Sequence, residues 1–174
     1  MARVVVLVGM MGSGKTTVGR RLATKLGFRF IDTDDLVVAK AGKPVREIFE
    51  HDGEPAFREL ESDAVRDAVA SPIDTVVAAA GGCVLSDNNR SYISERASYV
   101  VWLDADVSAL GQRTSRSAHR PLLDGDAESR LAALDEARRP LYESIADVRL
   151  DTTPKSVDEV VEEIASLVDK VRAS

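Results

Sequence analysis

The sequence predicts an α/β domain, a parallel sheet with helices on both faces, and three observations carry that expectation. Five short β-branched runs alternate with helical patterns along the chain. A glycine-rich segment ending in Lys15-Thr16 stands directly between the first run and the first helical pattern. The last stretch carries a single apolar stripe at 3.6-residue spacing.

Taken in order, Arg3–Val8 is expected as the first strand. Gly12, Gly14 and Lys15 interrupt the apolar run there, so the start is read as a strand and not as a signal peptide. A helix follows over Lys15–Leu26 and a second strand over Phe28–Asp32. The segment Thr33–Val69 holds more helix than a simple crossover needs, with patterns at Val45–His51 and Pro55–Val69 broken by Gly42, Pro44, Gly53 and Pro55. Thr75–Ala80 and Tyr99–Asp104 are the third and fourth strands, and Val107–Thr114 the helix after them. Ser115–Asp126 is polar and basic with turn residues. In an α/β fold, insertions at strand ends carry substrate contacts or form lids. Glu128–Tyr142 is helical and Asp147–Leu150 is the fifth strand. The final helix presents Val157, Val160, Val161, Ile164, Leu167, Val168 and Val171 on one face, and Ser156 with Glu159 makes a capping box just after Pro154.

Composition sets limits on function. At 174 residues and 18.8 kDa the chain is one domain, expected to span 1–174 without a linker or repeat. With 23 basic and 29 acidic residues it carries a net charge of −6 and a pI near 5.0. That argues against nucleic acid as a partner held by a diffuse basic field, while a local basic cleft stays open. No apolar run approaches the ~20 residues of a membrane helix, so no membrane partner is expected. The lone Cys83 makes no internal disulfide, and no Cys/His pair has metal-ligand spacing, so a reducing, cytoplasmic location follows as the expectation. Cys83 itself reads as a buried small hydrophobe.

Gly9-Met10-Met11-Gly12-Ser13-Gly14-Lys15-Thr16 matches the phosphate-binding pattern G-x-x-x-x-G-K-[ST] in its required strand–helix context. Its glycines let backbone N–H groups turn inward on phosphates. Lys15 can reach the β- and γ-phosphates, and the Thr16 hydroxyl is placed to ligate Mg²⁺. The helix that follows offers its positive end to the same anion. A guanine-specifying Asn-Lys-x-Asp is absent, so the remaining motifs should describe a phosphoryl acceptor. Asp32-Thr33-Asp34 lies at the end of the second strand, where α/β proteins place ligands. Asp32 can face the metal shell and Asp34 a substrate hydroxyl. Helix capping by Asp32 or Thr33, with Asp35 favouring the helix dipole, is the plainer alternative.

These motifs, with Phe57-Arg58-Glu59-Leu60-Glu61, Gly81-Gly82-Cys83-Val84, Arg120-Pro121-Leu122-Leu123 and Arg138-Arg139-Pro140-Leu141-Tyr142, occur in an order that resembles the shikimate kinase family over nearly the whole chain. The resemblance implies the P-loop fold of the nucleoside-monophosphate-kinase type, a five-stranded parallel sheet with a substrate-binding insertion at about 33–61 and a mobile lid at about 115–125. It implies transfer of the γ-phosphoryl of ATP to the 3-hydroxyl of shikimate, with Mg²⁺, by a monomer. Arg58 and Arg138 would hold the shikimate carboxylate, Asp34 its ring hydroxyls, and Gly81 and Gly82 would offer backbone N–H groups. Gly12, Ser13, Gly14, Lys15, Thr16 and Thr17 would hold the ATP phosphates, and Arg120 on the lid would reach them. Arg113 would pack on adenine, with the Thr152–Pro154 turn, including Thr153, on its other side. Thr16 and Asp32 would serve the metal, and Lys15, Asp34 and Arg120 the chemistry. Two departures stand out. The family commonly has three glycines where this chain reads Ala80-Gly81-Gly82, and the turn Asp151-Thr152-Thr153-Pro154 is short.

The chemistry is coherent on its own terms. Guanidinium forks suit a small carboxylate acceptor, and phosphoryl transfer needs positioning and charge stabilisation above all. Plainer roles stay open for several residues. Arg58 with Glu61 or Ser62 could be an exposed helix pair. Of Arg138 and Arg139 one is expected to be functional, and the spacing to Pro140 and Tyr142 favours Arg138. Arg113 and Arg116 could be surface charges, while His51 and His119 read as surface or lid residues. Phe49 and Phe57 line the acceptor pocket or belong to the core, and Tyr99 and Trp102 belong to the core sheet. Rival functions are another small P-loop kinase, acting on gluconate or a nucleoside monophosphate, and a nucleotide-binding module without transfer.

Overall fold

The computed structural model of the chain describes residues 1–115 and 126–172. Five parallel strands form one sheet in the order β2-β3-β1-β4-β5. They are β1 (Val4–Val8), β2 (Arg29–Asp32), β3 (Thr75–Ala78), β4 (Tyr99–Asp104) and β5 (Val148–Asp151). β1 is central and buried at every residue, as an all-β-branched-and-Leu run covered on both faces must be. Val4, Val6 and Val8 pack on one face beneath α4 (Glu54–Val69), α5 (Asp87–Arg96) and α7 (Ala127–Glu143). Val5 and Leu7 pack on the other beneath α1 (Lys15–Leu26) and α8 (Val157–Arg172). The two remaining long helices are α2 (Thr33–Ala41) and α6 (Val107–Thr114).

The α8 stripe packs as its period requires, with Val160, Val161, Ile164 and Val168 buried; the side chain of Val171 lies outside those described. Its capping box closes reciprocally. The Ser156 N–H donates to Glu159 Oε2 at 2.6 Å, and the Glu159 N–H to Ser156 Oγ at 3.2 Å.

Three local features differ from the sequence reading. The expected helix at Val45–His51 is a single turn, α3 (Val45–Glu47), running into a π-helical turn at Ile48–Asp52. α5 carries no apolar stripe, burying only Asn89 and Ile93, and is announced by its cap, Ser86 Oγ accepting from Asn89 N. β3 ends at Ala78 and not Ala80, because the Ala80 N–H leaves the ladder to donate to Thr33 Oγ1 at 2.9 Å.

At the far end of β4, buried Asp104 accepts two hydrogen bonds from Arg139 (2.9 and 2.8 Å) and two from Arg149 (2.9 and 2.6 Å). Both guanidinium groups also lie over the Trp102 ring. Burial opposes ionisation of Asp104, but the hydrogen bonds and charges of the two arginines outweigh it and hold the carboxyl below its ordinary value of 3.8. Asp104→Asn should cost about 2 kcal/mol of stability, less than a fully buried pair because both arginines keep access to water. A lowered folded pKa gives stability that is present above the unfolded value and lost as pH falls through the folded one. Denaturant titrations should therefore find the gap between wild type and variant full at neutral pH and closing below 3.8; a gap independent of pH would assign it to packing.

Candidate active site

A cavity of about 370 Å³ opens at the carboxyl ends of the central strands, against the start of α1. Gly12, Ser13, Gly14, Lys15, Thr16 and Thr17 line one end, with Asp32, Asp34 and Gly81 beside them. Gly9, Gly12 and Gly14 take φ of 145°, 82° and 94°, so the loop winds through conformations closed to other residues. At Gly9 a Cβ would also overlap the Leu103 carbonyl. Lys15 Nζ donates to the Gly9 and Met10 carbonyls at 2.7 and 2.9 Å, held across its own loop.

The two readings of Asp32 are realised by one carboxylate. Oδ1 accepts the Asp34 N–H at 2.9 Å and caps α2, while Oδ2 accepts the Thr16 hydroxyl at 2.7 Å. Thr33 caps nothing; its hydroxyl ties the end of β2 to Ala80. Among the described residues no cluster of three or more His, Cys, Asp or Glu could hold a metal by itself. One hydroxyl and one carboxylate oxygen beside a phosphate loop fit Mg²⁺, which retains waters and takes its other ligands from substrate phosphates.

Another wall of the cavity is lined by Arg113, Thr152, Lys155, Val157 and Val160. Arg113 donates to the Gly12 carbonyl and to Thr152 Oγ1, each at 3.3 Å, which joins this wall to the phosphate loop. Thr153 and Pro154 are not on this wall. Thr153 Oγ1 instead accepts the Asp106 N–H at 2.9 Å. The side chains that take their place were hidden in the sequence, since Val157 and Val160 belong to the same stripe that packs α8 and Lys155 is paired with Glu163.

Beyond Gly81 the two candidate carboxylate-binding arginines flank the glycine turn. Arg138 is 2% exposed, its Nη1 3.6 Å from where a Cβ on Gly81 would stand. Its Nε has no hydrogen-bond partner among the described residues. Arg139 is committed to Asp104 and Asp135, so the neighbouring arginines divide into one that faces the turn and one that braces the fold. Arg58 donates to Glu61 at 2.9 Å and to Glu54 at 3.1 Å, and lies over the Phe57 ring. This is not the exposed helix pair, because Glu61 is 2% exposed. Burial pushes the Glu61 carboxyl up, against the pull of Arg58. Phe57 is core and stacks at 4.7 Å on half-buried Phe49. Cys83 is buried, and burial pushes its thiol well above the ordinary value, which keeps it neutral.

Gly81 and Gly82 are glycines for space. Neither is among the glycines with positive φ, but a Cβ on Gly82 would overlap Arg58 Nη1 and stand 3.0 Å from its Cζ. Since a flexible side-chain end can yield, Gly82→Ala should fold normally and displace the Arg58 guanidinium. Acceptor KM should rise about 10- to 100-fold with ATP KM unchanged, the scale of loss for a misplacement near 1 Å. An unaltered acceptor KM would show that Arg58 accommodates the methyl without cost. Ala80, the departure from three glycines, has its N–H spent on Thr33. Arg116, His119, Arg120 and the expected lid through residue 125 lie outside the described residues.

Comparison with known proteins adds the following. A family model described as shikimate kinase matches residues 11–169. A shikimate kinase of Symbiobacterium thermophilum is 48% identical over 163 residues, covering 92% of this chain and 92% of its own. One of Saccharopolyspora erythraea is 44% identical over 175 residues, covering 100% of this chain and 98% of its own. Among solved structures, a shikimate kinase from Acinetobacter baumannii in complex with shikimate superposes with a TM-score of 0.92 at 34% identity, over 98% of this chain and 94% of that one.

Proposed function

The chain belongs to the shikimate kinase family, and from that premise we propose that it transfers the γ-phosphoryl group of ATP to the 3-hydroxyl of shikimate, giving shikimate 3-phosphate and ADP. It is an ATP-dependent small-molecule kinase. The observation that carries the reading within this chain is the convergence of Arg58 and buried Arg138 on the Gly81-Gly82 turn, which adjoins the wall that Asp34 shares with the phosphate loop. A buried guanidinium with an unpartnered Nε is what a ligand carboxylate satisfies, and two forks fix a small acid in one orientation.

The residues then divide the work. Amides of Gly12 to Thr17 and the Lys15 ammonium hold the nucleotide phosphates and stabilise the charge that spreads over the transferring group. Arg113, Val157 and Val160 receive the base, with Lys155 and Thr152 at its edge. Thr16 and Asp32 would hold Mg²⁺, which when bound neutralises charge on the phosphate oxygens. Asp34 accepts a hydrogen bond from the attacking hydroxyl and aligns it on the γ-phosphorus, where it can receive the proton as the new O–P bond forms. Glu61 holds Arg58 toward the turn.

We further read residues 1–174 as one kinase domain acting as a cytoplasmic monomer. Among the described residues no helix is long and apolar enough to cross a membrane, and the one cysteine is buried and free. ADP release from Mg-ATP, with shikimate, D-gluconate and AMP offered separately, tests the function. Release with shikimate alone is expected; release with either of the others instead would overturn the acceptor reading and leave the phosphate loop argument standing.

A further inference from the structure

Tyr142 has no part in the roles above, yet it is fully buried and its hydroxyl sits at a junction of three segments. It donates to the Gly81 carbonyl at 2.6 Å and lies 3.7 Å from Met10 Sδ in the phosphate loop. Arg138 stands one helical turn earlier on α7, its Nη1 3.6 Å from where a Cβ on Gly81 would stand. The ring is held from behind by Trp102, with centroids 5.8 Å apart. One phenol thus joins the helix that carries Arg138, the glycine turn and the first residues of the phosphate loop.

We propose that Tyr142 is a positioning residue for the acceptor: its hydroxyl fixes the Gly81–Gly82 peptide and the Arg138 guanidinium relative to one another, so that both meet the substrate carboxylate in a single orientation. In a trans peptide the C=O and the following N–H point in opposite directions. Anchoring the Gly81 carbonyl on Tyr142 therefore turns the Gly82 N–H away from the Tyr142 hydroxyl. The glycine at 81 has no side chain of its own to hold that peptide, and its freedom would otherwise blur the site.

The inference rests on the acceptor reading above, and the test separates the two. Wild type is assayed first with shikimate; an inactive wild type would overturn the functional reading itself. Tyr142→Phe keeps the ring and its packing on Trp102 while removing the hydroxyl. Shikimate KM should then rise roughly tenfold, the scale of leaving a buried carbonyl without its partner, with ATP KM within about twofold of wild type. An unchanged shikimate KM, or equal rises for both substrates, would reduce Tyr142 to a packing residue. Arg139→Ala provides the contrast, lowering the melting temperature without moving shikimate KM. Should Tyr142→Phe not fold, the wild-type protein still decides. The buried Tyr142 hydroxyl proton should shift in NMR spectra on adding shikimate and shift less on adding ADP, and the reverse order would overturn the proposal.

Discussion

Lys15→Ala should fold, bind shikimate with near wild-type affinity and turn over at least about 1000-fold more slowly, the scale of removing a cation from the transferring phosphoryl group. The ammonium already lies at the phosphate end of the cavity, held by the Gly9 and Met10 carbonyls. Its release from those two acceptors to phosphate oxygens exchanges neutral hydrogen bonds for charge-assisted ones. The loop's shape does not depend on the side chain, because Gly9, Gly12 and Gly14 set it through their positive φ values and α1 carries its own apolar face. The loss should therefore appear in kcat, with calorimetric binding of shikimate retained. A Lys15→Ala enzyme with more than a tenth of wild-type turnover would remove the lysine from charge stabilisation. Lys15→Arg would then tell whether charge alone suffices, since a planar fork is poorly matched to the place of a compact ammonium.

How much of this site can be read from the sequence depends on how local its determinants are. The phosphate loop is legible because strand, glycines, lysine and helix start are contiguous, and each performs its part within one turn of chain. The two roles of Asp32 are legible only as alternatives. That one carboxylate caps α2 and meets Thr16 at once follows from β2 lying beside β3, and β3 beside β1, a long-range pairing that no local pattern records. Arg58 and Arg138 are 80 positions apart and can be joined only through the family pattern; the fold joins them because both α4 and α7 cover the same face of the sheet. The wall proposed for the base escapes notice because Val157 and Val160 satisfy the helical stripe whether or not a ligand touches them. Burial of Glu61 escapes for the opposite reason, as a carboxylate three residues after an arginine normally marks a solvated face.

Arg138→Ala should weaken shikimate binding by about 2–5 kcal/mol, the loss expected when one partner of a buried charged pair is truncated, and leave ATP binding nearly untouched. On the affinity scale that is roughly 30- to 5000-fold. Arg58→Ala belongs in the same range by the same reasoning but should differ in its side effects. Removing Arg58 leaves Glu61 buried without its ion pair, and the burial that already pushes this carboxyl up should make it protonate at a higher pH still. Its acceptor affinity should therefore gain a pH dependence in the weakly acidic range. The Arg138 charge also pulls the Glu61 carboxyl down, but without an ion pair and less than Arg58 does, so Arg138→Ala should gain a weaker pH dependence than Arg58→Ala. Arg139→Ala is the internal control. Its partners are Asp104 and Asp135, so it should lower stability and spare shikimate affinity. Equal loss of both ligands in Arg138→Ala would mean a lost fold, and a folded Arg138→Ala that still held shikimate would place the carboxylate on Arg58 and the glycine turn alone.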